Sequence, residues 1–487
     1  MRTHPTNDTA WQHYGKQYDV PLVPVICGML PCVRYMRRNN EFVDIATFER
    51  WLVAMRRCLT IYIHAGSVHA GIRLMAAQSF TTICCIAGGG PAGMMLGFLL
   101  SRAGIDVVVL EKHADFLRDF RGDTIHPSTL ELMHELGLLE EFLKQPHQKL
   151  QQLVGQVGDE RITLGDFSGL SAKCNFIALM PQWDFLNFLA AQGRRYKGFH
   201  LRMRSEAIDL MRDGERVVGV RAVVGGAGAP IEIRADLVVA ADGRHSTLRE
   251  RAGFKVIDLG APMDVLWLRI SRRPEDGEQT FGHIEAGMFM IMLNRDDYWQ
   301  CAFVIAKGAA EMWRKRDIGE FRRAVLSLSP FLMERVNEIG SWDDVKLLTV
   351  TVNRLPQWHQ EGLLCIGDAA HAMSPIGGVG INLAVQDAVA AANILAGPLS
   401  GHRLTRDHLR AVQSRREWPT KVTQRIQIFV QDHVVGPVLA GTQRPKPPRA
   451  AKLLDWFPAL RRIPARVIGI GVRPEHVRTA DASRSSN

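Results

Sequence analysis

Residues 83–111 read ICCIAGGGPAGMMLGFLLSRAGIDVVVLE, and this stretch decides the fold. The apolar run at 83–87 predicts a buried strand, the glycine-rich run at 88–93 a tight turn, and residues 94–103 a helix. A second apolar strand is predicted at 106–110. Both strands are apolar throughout, which is typical of a parallel sheet covered on both faces. The stretch therefore predicts a βαβ unit.

The turn has the spacing Gly88-x-Gly90-x-x-Gly93, and Glu111 ends the second strand. In this spacing Gly88 permits the tight turn, Gly90 lets a pyrophosphate approach the backbone, and Gly93 lets the helix pack on the strand. Glu111 is suited to accept hydrogen bonds from an adenosine ribose and disfavours a 2′-phosphate there. These residues predict a dinucleotide site and leave NAD and FAD both open.

The composition is that of a globular protein. The chain has 487 residues, of which 46% are hydrophobic, so two or three domains are expected. The formal charge of +10 is carried by the ends: residues 1–80 contribute +4, residues 440–487 contribute +7, and residues 81–439 carry −1. Because the middle is nearly neutral and has no zinc-finger or RNA-binding signature, we predict no nucleic-acid partner.

The cysteine and histidine patterns also exclude several classes of protein. The eight cysteines have no paired CxxC spacing, which predicts reduced and mostly buried thiols. No HExxH or other ligand spacing predicts a metal site. The apolar run at 20–33 is shorter than the roughly 20 residues of a membrane span and contains three prolines. We therefore expect a cytoplasmic protein without an integral membrane segment.

Residues 1–80 lack a sustained strand or helix period, and we interpret them as a poorly ordered N-terminal extension. One hypothesis is that the natural start is Met75; the alternative is a genuine, loosely packed extension. Residues 441–487 contain many arginines and, near their start, Pro445, Pro447 and Pro448, and they predict a loosely held basic tail.

Two unlike sheets are predicted. Segments 217–224, 231–233 and 237–241 suggest strands that return to the first sheet, whereas 265–270, 288–293 and 300–305 suggest a separate antiparallel sheet. The fold class is thus α/β, with a Rossmann-like domain of mostly parallel sheet, a smaller antiparallel-sheet substrate domain and C-terminal helices. The predicted boundaries are 81–155, 176–256 and 345–400 for the first domain, 156–175 and 257–344 for the second, and 401–440 for the C-terminal helices.

Two more motifs follow apolar strands. The stretch LVVAADGRHSTLR at 237–249 ends its strand at Asp242-Gly243, and LCIGDAAHAMSP at 364–375 ends its strand at Gly367-Asp368. A further glycine-rich turn at 377–380 leads into a helix predicted at 381–395. Generic NAD dehydrogenases lack an Asp-Gly motif between the other two.

With three such motifs in this order, the sequence resembles the group A flavoprotein monooxygenases, the flavin-dependent aromatic hydroxylases of the p-hydroxybenzoate hydroxylase type. The resemblance spans about residues 81–430. It implies that the first motif holds the ADP half of FAD, that Asp368 binds the ribityl-pyrophosphate region, and that Asp242-Gly243 shapes the FAD site and the route of NAD(P)H. The predicted FAD-binding residues are Gly88, Gly90, Ala92, Gly93, Glu111, Lys112, Arg121, Gln182, Asp242, Gly367, Asp368, Pro375, Gly378, Gly380, Ile381 and Asn382.

The resemblance further implies the reaction. NAD(P)H reduces FAD, O2 is captured as a flavin C4a-hydroperoxide, and an electron-rich aromatic ring is hydroxylated; NADH and NADPH are both open. Pro375 is implied to lie beside the flavin ring, the amides at 377–382 suit negative charge on reduced flavin, and His371 is assigned packing and hydrogen bonding. The alternatives are a reductase of this fold that does not use O2 and a non-catalytic flavin-binding protein. The Trp-x-Trp-x-Ile-Pro signature of flavin halogenases is absent.

Substrate contacts are expected from the antiparallel sheet. Alternation along a strand puts Met288, Met290 and Met292 on one face, and Trp267 is the fourth predicted substrate residue. The same sheet also offers Arg269, Tyr298 and Gln300. If the methionine stripe lines the pocket, the substrate is bulky and apolar, such as a polyketide or quinone-like aromatic. Such a stripe is more often plain core than a pocket wall.

Overall fold

The computed structural model describes residues 79–117, 124–226, 230–277, 281–441, 453–454 and 456–483. All of them belong to the compact unit Met75–Asn487. The predictions for residues 1–78 and for Arg121 lie outside the described residues. Residues 79 and 80 are described and begin a strand.

The structure has the following strands and helices in the described ranges. The strands are β1 (Ser79–Ala87), β2 (Val107–Leu110), β3 (Thr124–Ile125), β4 (Gln148–Leu150), β5 (Gln152–Val157), β6 (Glu160–Asp166), β7 (Ile177–Leu179), β8 (Phe199–Arg202), β9 (Ser205–Asp213), β10 (Arg216–Val224), β11 (Ile231–Ala240), β12 (Ile257–Asp258), β13 (Met263–Ser271), β14 (Phe281–Glu285), β15 (Met288–Asn294), β16 (Tyr298–Ala306), β17 (Lys346–Leu348), β18 (Asn353–Arg354), β19 (His359–Gln360), β20 (Leu363–Cys365) and β21 (His371–Ala372). The helices are α1 (Pro91–Arg102), α2 (Pro127–Glu135), α3 (Leu139–Phe142), α4 (Gln182–Gly193), α5 (Thr247–Arg251), α6 (Ala310–Arg314), α7 (Ile318–Leu328), α8 (Gly380–Ser400), α9 (Arg406–Val430), α10 (Gly436–Ala440) and α11 (Arg462–Gly469).

The first sheet has a parallel centre, as the opening stretch predicts. Its main order is β19-β20-β11-β1-β2-β8, and β10 and β9 continue from β11. The βαβ unit β1-α1-β2 is confirmed, and both of its strands are buried where they pair. The prediction of two short strands at 231–233 and 237–241 is wrong, because β11 is continuous. The first half of β11 alternates charged and apolar side chains where the sheet meets solvent. An apolar run therefore marks only the second half of this strand.

The second sheet is the predicted antiparallel one, with the order β17-β13-β16-β15-β14-β5-β6. All its pairs are antiparallel except β14 with β5. Helix α7 packs against one face and buries Phe321, Val325 and Leu328 there. Two small sheets, β12-β18-β21 and β3-β7-β4, complete the described strands.

Helix α8 is the long core helix, and it packs against α1 and α9. In the described part of the chain, the segment Ile376–Ser400 alone is long and apolar enough to cross a membrane, but 72% of its most apolar window is buried inside the protein. The five cysteines of the described ranges are free and buried, as predicted, and burial raises the pKa of Cys85 to about 12.

The expectation of a loosely held tail is wrong for the described residues 456–483. Helix α11 packs on β6, and the segment after it contacts α1, α2 and α8. Glu475 is only 5% exposed and meets Arg415, while the Ala482 amide donates to the Arg102 carbonyl at 2.9 Å. The tail is held because its acidic residues meet arginines of the folded body, which basic net charge alone does not reveal.

Candidate functional site

The three sequence motifs meet at one edge of the first sheet. Ala87 of β1 is in register with Leu110 of β2 and with Ala240 of β11, and Ala240 is in register with Cys365 of β20. All these strands are parallel, so the loops that follow them leave from one level. Strand β1 also lies where successive connections run to opposite sides, the usual ligand crevice of such sheets.

The glycines of the first turn, residues 88–93 (the Gly turn), have different reasons to be glycine. Gly88 has φ +108°, and a Cβ there would lie 2.3 Å from the Ala241 carbonyl oxygen. A Cβ on Gly93 would lie 1.9 Å from the Gly88 oxygen. Both are required by packing between protein segments.

Gly90 is different, because a Cβ placed there meets nothing within 4 Å. It is the N-cap of α1, no side chain caps that helix, and the first turn has no acidic residue. Buried Ala92 lies in this first turn. The open space in front of an uncapped helix N-terminus is suited to a phosphate group.

Glu111 lies beside the Gly turn and is only 8% exposed. Its Oε2 accepts a hydrogen bond from the Gly89 amide at 3.1 Å, and its Oε1 accepts one from the His113 amide at 3.0 Å. Lys112 is directed elsewhere: its Nζ lies 4.0 Å from Glu206 in a largely exposed pair. None of the described contacts joins the Lys112 side chain to the Gly turn, so its role in binding FAD stays a prediction.

The second motif, residues 242–243 (the Asp-Gly turn), lies against the first, as the contact between Gly88 and Ala241 shows. The Oδ2 of Asp242 accepts from the Leu248 amide at 3.2 Å, and its Oδ1 is buried with no hydrogen-bond partner in the described ranges. Burial raises the pKa of Asp242, opposed by hydrogen bonds from Ser246 and Leu248.

Arg249 joins this turn to the third motif, a role that the sequence did not reveal. Its Nη1 donates to the Ala369 carbonyl at 3.1 Å and its Nη2 donates to the Arg244 carbonyl at 2.7 Å. Arg244 in turn places its Nη2 3.9 Å from the Asp368 carboxylate. The only available signal was the presence of both arginines within the quoted stretch 237–249.

The third motif, residues 367–368 (the Gly-Asp turn), abuts the first helix. Gly367 has φ +57°, and a Cβ there would lie 3.1 Å from the Ala92 methyl group. The Asp368 side chain is 34% exposed and thus accessible to a ligand. The Gly turn, the Asp-Gly turn and the Gly-Asp turn therefore line one crevice.

A glycine-rich turn after Pro375 leads into α8. Gly377 and Gly378 both have positive φ, and the Gly378 carbonyl accepts from Thr124 Oγ1 at 2.9 Å. A Cβ on Gly380 would meet nothing within 4 Å, and no side chain caps α8. This is a second open helix N-terminus, and buried Ile381 follows it.

Asn382 uses its side chain inside the protein. Its Oδ1 accepts from the His126 amide at 2.9 Å and from Thr129 Oγ1 at 2.7 Å, and its Nδ2 donates to the Thr124 carbonyl at 3.2 Å. Its side chain braces the turn, which leaves its backbone as the group available to a cofactor. Gln182 is half-buried at the start of α4.

The methionine stripe does not face this crevice. Met290 and Met292 are fully buried in the core under α7, and Met288 packs against the same core. The prediction that these methionines line the substrate pocket is therefore contradicted, because α7 covers their face of β15. The plain-core alternative is the one that the structure supports.

The opposite face of the second sheet carries Trp267, Phe289 and Ile291, which pack on the same apolar cluster as Ile376 from the turn after Pro375 and Leu439 of α10. Register places Trp267, Ala302, Ile291, Gly282 and Gly155 in one row across five strands. The row has large side chains at one end and glycines at the other. Phe289 and Ile291 were missed, although strand alternation assigns them to the face opposite the methionines.

The further candidates from this sheet, Arg269, Tyr298 and Gln300, lie toward the turn between β15 and β16. Arg269 stacks on the Tyr298 ring with its Cζ 3.9 Å from the ring centroid, and it also meets Asp297 at an exposed pair. Gln300 is buried and accepts from Arg295 Nε at 2.9 Å. No cluster of His, Cys, Asp and Glu able to hold a metal ion occurs among the described residues.

The crevice fits FAD. It offers an open cradle at Gly90, a second open helix N-terminus at Gly380, and an accessible carboxylate at Asp368 between them along the sheet edge. A long anionic dinucleotide requires such donors at separate points.

Comparison with known proteins agrees with this geometry. The family described as FAD binding domain matches residues 81–426. The chain is 31% identical to 6-methylpretetramide 4-monooxygenase of Streptomyces rimosus over 398 residues, which cover 80% of this chain and 93% of that protein. Among solved structures, PqsL of Pseudomonas aeruginosa aligns with a TM-score of 0.62 and 22% identity, covering 74% of this chain and 97% of that one. OxyS anhydrotetracycline hydroxylase of Streptomyces rimosus aligns with a TM-score of 0.62 and 22% identity, covering 80% and 76%.

Proposed function

Because this chain belongs to the FAD binding domain family of group A flavin aromatic hydroxylases, and is thus an FAD-dependent monooxygenase that uses NAD(P)H and O2, we propose that it hydroxylates a polycyclic aromatic substrate. The observation that carries this proposal is the row of Trp267, Ala302, Ile291, Gly282 and Gly155 on the face of the second sheet whose apolar cluster also includes Ile376 from the turn after Pro375.

We assign the two ends of FAD to the two open helix N-termini. Gly90 and the first turn of α1 would hold the pyrophosphate, Glu111 the adenosine ribose, and Asp368 the ribityl chain. The turn from Pro375 to Ile381 would lie at the flavin end. When bound, the flavin supplies transfer of two electrons from NAD(P)H and activation of O2.

The chain's own residues would then orient the reactants and exclude water. The amides at the start of α8 are oriented to stabilise negative charge at the pyrimidine side of the cofactor. Trp267, Phe289 and Ile291 provide an apolar surface that excludes water from the substrate ring. Pro375 has no amide hydrogen, so it shapes the pocket without donating a proton.

The glycine end of the row supports a large substrate. Gly282 and Gly155 carry no side chain, so the sheet surface is lowest where they lie, and Phe289 and Ile291 border Gly282 at 3.5 and 3.9 Å from its would-be Cβ. A single small ring would leave part of this surface uncovered. The 31% identical relative is named for a pretetramide substrate, which agrees with several fused rings.

The test uses the purified FAD-loaded protein with NADH and with NADPH, because the reductant is open. We expect fused-ring aromatics to stimulate NAD(P)H oxidation and O2 uptake together, to give a product heavier by one oxygen atom, and to act at lower concentration than benzoates. The matched control is the same assay with substrate and no protein, which sets the rate of direct NAD(P)H loss.

Other outcomes point to other functions. Substrate-dependent NAD(P)H loss without O2 uptake would identify a reductase, and tight FAD binding with neither reaction would identify a non-catalytic flavoprotein. Preference for benzoates over fused rings would refute the proposed substrate class. A cytoplasmic location belongs to the same proposal, and fractionation of the native cells would test it.

A further inference from the structure

A chain of buried charges ends on the Gly-Asp turn. Asp387 of α8 is fully buried, and its Oδ2 accepts from the Gly367 amide at 3.1 Å and from His371 Nε2 at 2.6 Å. Its Oδ1 accepts from Arg416 Nε of α9 at 2.9 Å. Burial alone would raise the pKa of Asp387, but His371 and Arg416 outweigh it and the pKa is lowered. The Gly367 amide is therefore held by a carboxylate that stays ionised.

The chain continues into the C-terminal segment. Arg416 is 1% exposed, and its Nη1 lies 3.3 Å from Glu475 Oε1, which also accepts from Arg415 Nε at 2.7 Å. Arg416 thus stands between two buried carboxylates. Removing one charge from such a set leaves the remaining charges uncompensated, so they rearrange or admit water. The negative charge of Glu475 consequently affects how firmly Arg416 holds Asp387.

Residues 473–482, the C-terminal strap, contact the folded body along their length, and the contacts of Glu475 and Asp481 lie near its opposite ends. Near its start, the Glu475 backbone amide meets Gln386 of α8, and the Val477 amide donates to Glu135 Oε2 of α2 at 2.8 Å. Near its end, Asp481 meets Arg102 at 3.6 Å and Tyr196 at 3.4 Å. Of these two ends, only the one at Glu475 connects to the buried charges, so the two ends can be perturbed separately.

We propose that Glu475 is a positioning residue for the cofactor: through Arg416 and Asp387 it holds the Gly-Asp turn in the conformation that binds FAD, so the C-terminal strap determines FAD retention. The proposal rests on the assignment of FAD to this turn under the proposed function. It adds that residues more than 100 positions away in sequence set the affinity of the site.

The experiment titrates FAD-free protein with FAD and follows the quenching of flavin fluorescence. Glu475→Gln keeps the size of the side chain and removes its charge, and we expect its Kd for FAD to rise at least tenfold. Asp481→Asn is the matched control, because it perturbs the far end of the same strap; we expect its Kd to stay within twofold of wild type. Glu475→Asp keeps the charge and should recover most of the affinity.

A second measurement separates positioning from a general loss of structure. In an Arg416→Gln background, Glu475→Gln should weaken FAD binding less than twofold further, because the connection is already broken. Unchanged FAD affinity in Glu475→Gln, an equal loss in Asp481→Asn, or additive losses in the double variant would each overturn the proposal. Absence of FAD binding by the wild-type protein would instead refute the proposed function.

Discussion

At the residue scale, Gly88 and Gly90 separate the folding role of the Gly turn from its binding role. Gly88→Ala should destabilise the FAD-free protein by at least about 1–3 kcal/mol, because φ is +108° and the Ala241 oxygen is in the way. Gly90→Ala should leave its melting temperature nearly unchanged but weaken FAD binding about tenfold or more, since its methyl group would fill only the cradle. Thermal denaturation and FAD titration measure both effects, and a stable Gly90→Ala protein with wild-type affinity would contradict the assignment.

At this scale the sequence predicts those site residues whose residue type and spacing alone indicate a nucleotide site. Glycines at fixed spacing and a carboxylate at a strand end have few other uses, and Gly88, Glu111 and Asp368 all line the crevice. Arg249 was missed because an arginine after a turn is usually solvated, and one sequence does not reveal that its partners are the carbonyls of Ala369 and Arg244. Its role depends on contacts across 120 residues.

At the element scale, the alternation of side chains between the two faces of β15 decides which of them meet substrate. Gly282 pairs with Ile291 in the row that also holds Trp267 and Ala302, so Gly282→Val should fill the low part of that row. We expect KM for a fused-ring substrate to rise about tenfold while FAD affinity stays within twofold. Steady-state kinetics and FAD titration measure these values, and unchanged KM would place the substrate elsewhere.

The control for that prediction lies on the other face of the same strand. Met292→Leu changes shape in the core under α7 and should cost less than about 1.5 kcal/mol of stability with KM unchanged. The alternation of β15 was predicted from sequence, but the face that a helix covers was not. Both faces are apolar, α7 covers one of them, and Leu439 of α10 packs with the apolar cluster on the other, so the sequence pattern of β15 alone does not distinguish core from pocket wall.

At the scale of the whole molecule, the unpredicted feature is closure of the fold by its C-terminal segment. Prolines and arginines suggested a loose tail, yet Glu475 is buried and Arg102 donates to the Thr479 carbonyl at 2.8 Å across 377 positions. Local periodicity predicts strands and helices because neighbours along the chain determine them. It does not predict which distant arginine a lone glutamate meets, and burial of that pair depends on the completed fold.

His126 connects three distant segments and gives the fold a pH dependence. It is fully buried before α2: its amide donates to Asn382 of α8, and its Nδ1–H donates to the Ile468 carbonyl of α11 at 2.8 Å. Burial lowers the pKa of His126 to about 4, opposed by the bond to Ile468. In the unfolded chain the value is about 6.5, so between these two pH values the unfolded state binds the extra proton and folding is penalised as pH falls.

This contribution is complete above pH 6.5 and is lost as pH falls toward 4, a total of about 3 kcal/mol at roughly 1.4 kcal/mol per pH unit. In His126→Asn the amide can still donate to the Ile468 carbonyl but does not titrate. We therefore expect a variant that is less stable at pH 7, because a cavity is left, but whose stability falls less steeply between pH 6.5 and 4. Urea denaturation of both proteins across that range measures the two slopes; parallel slopes would show that His126 does not carry this coupling between α2, α8 and α11.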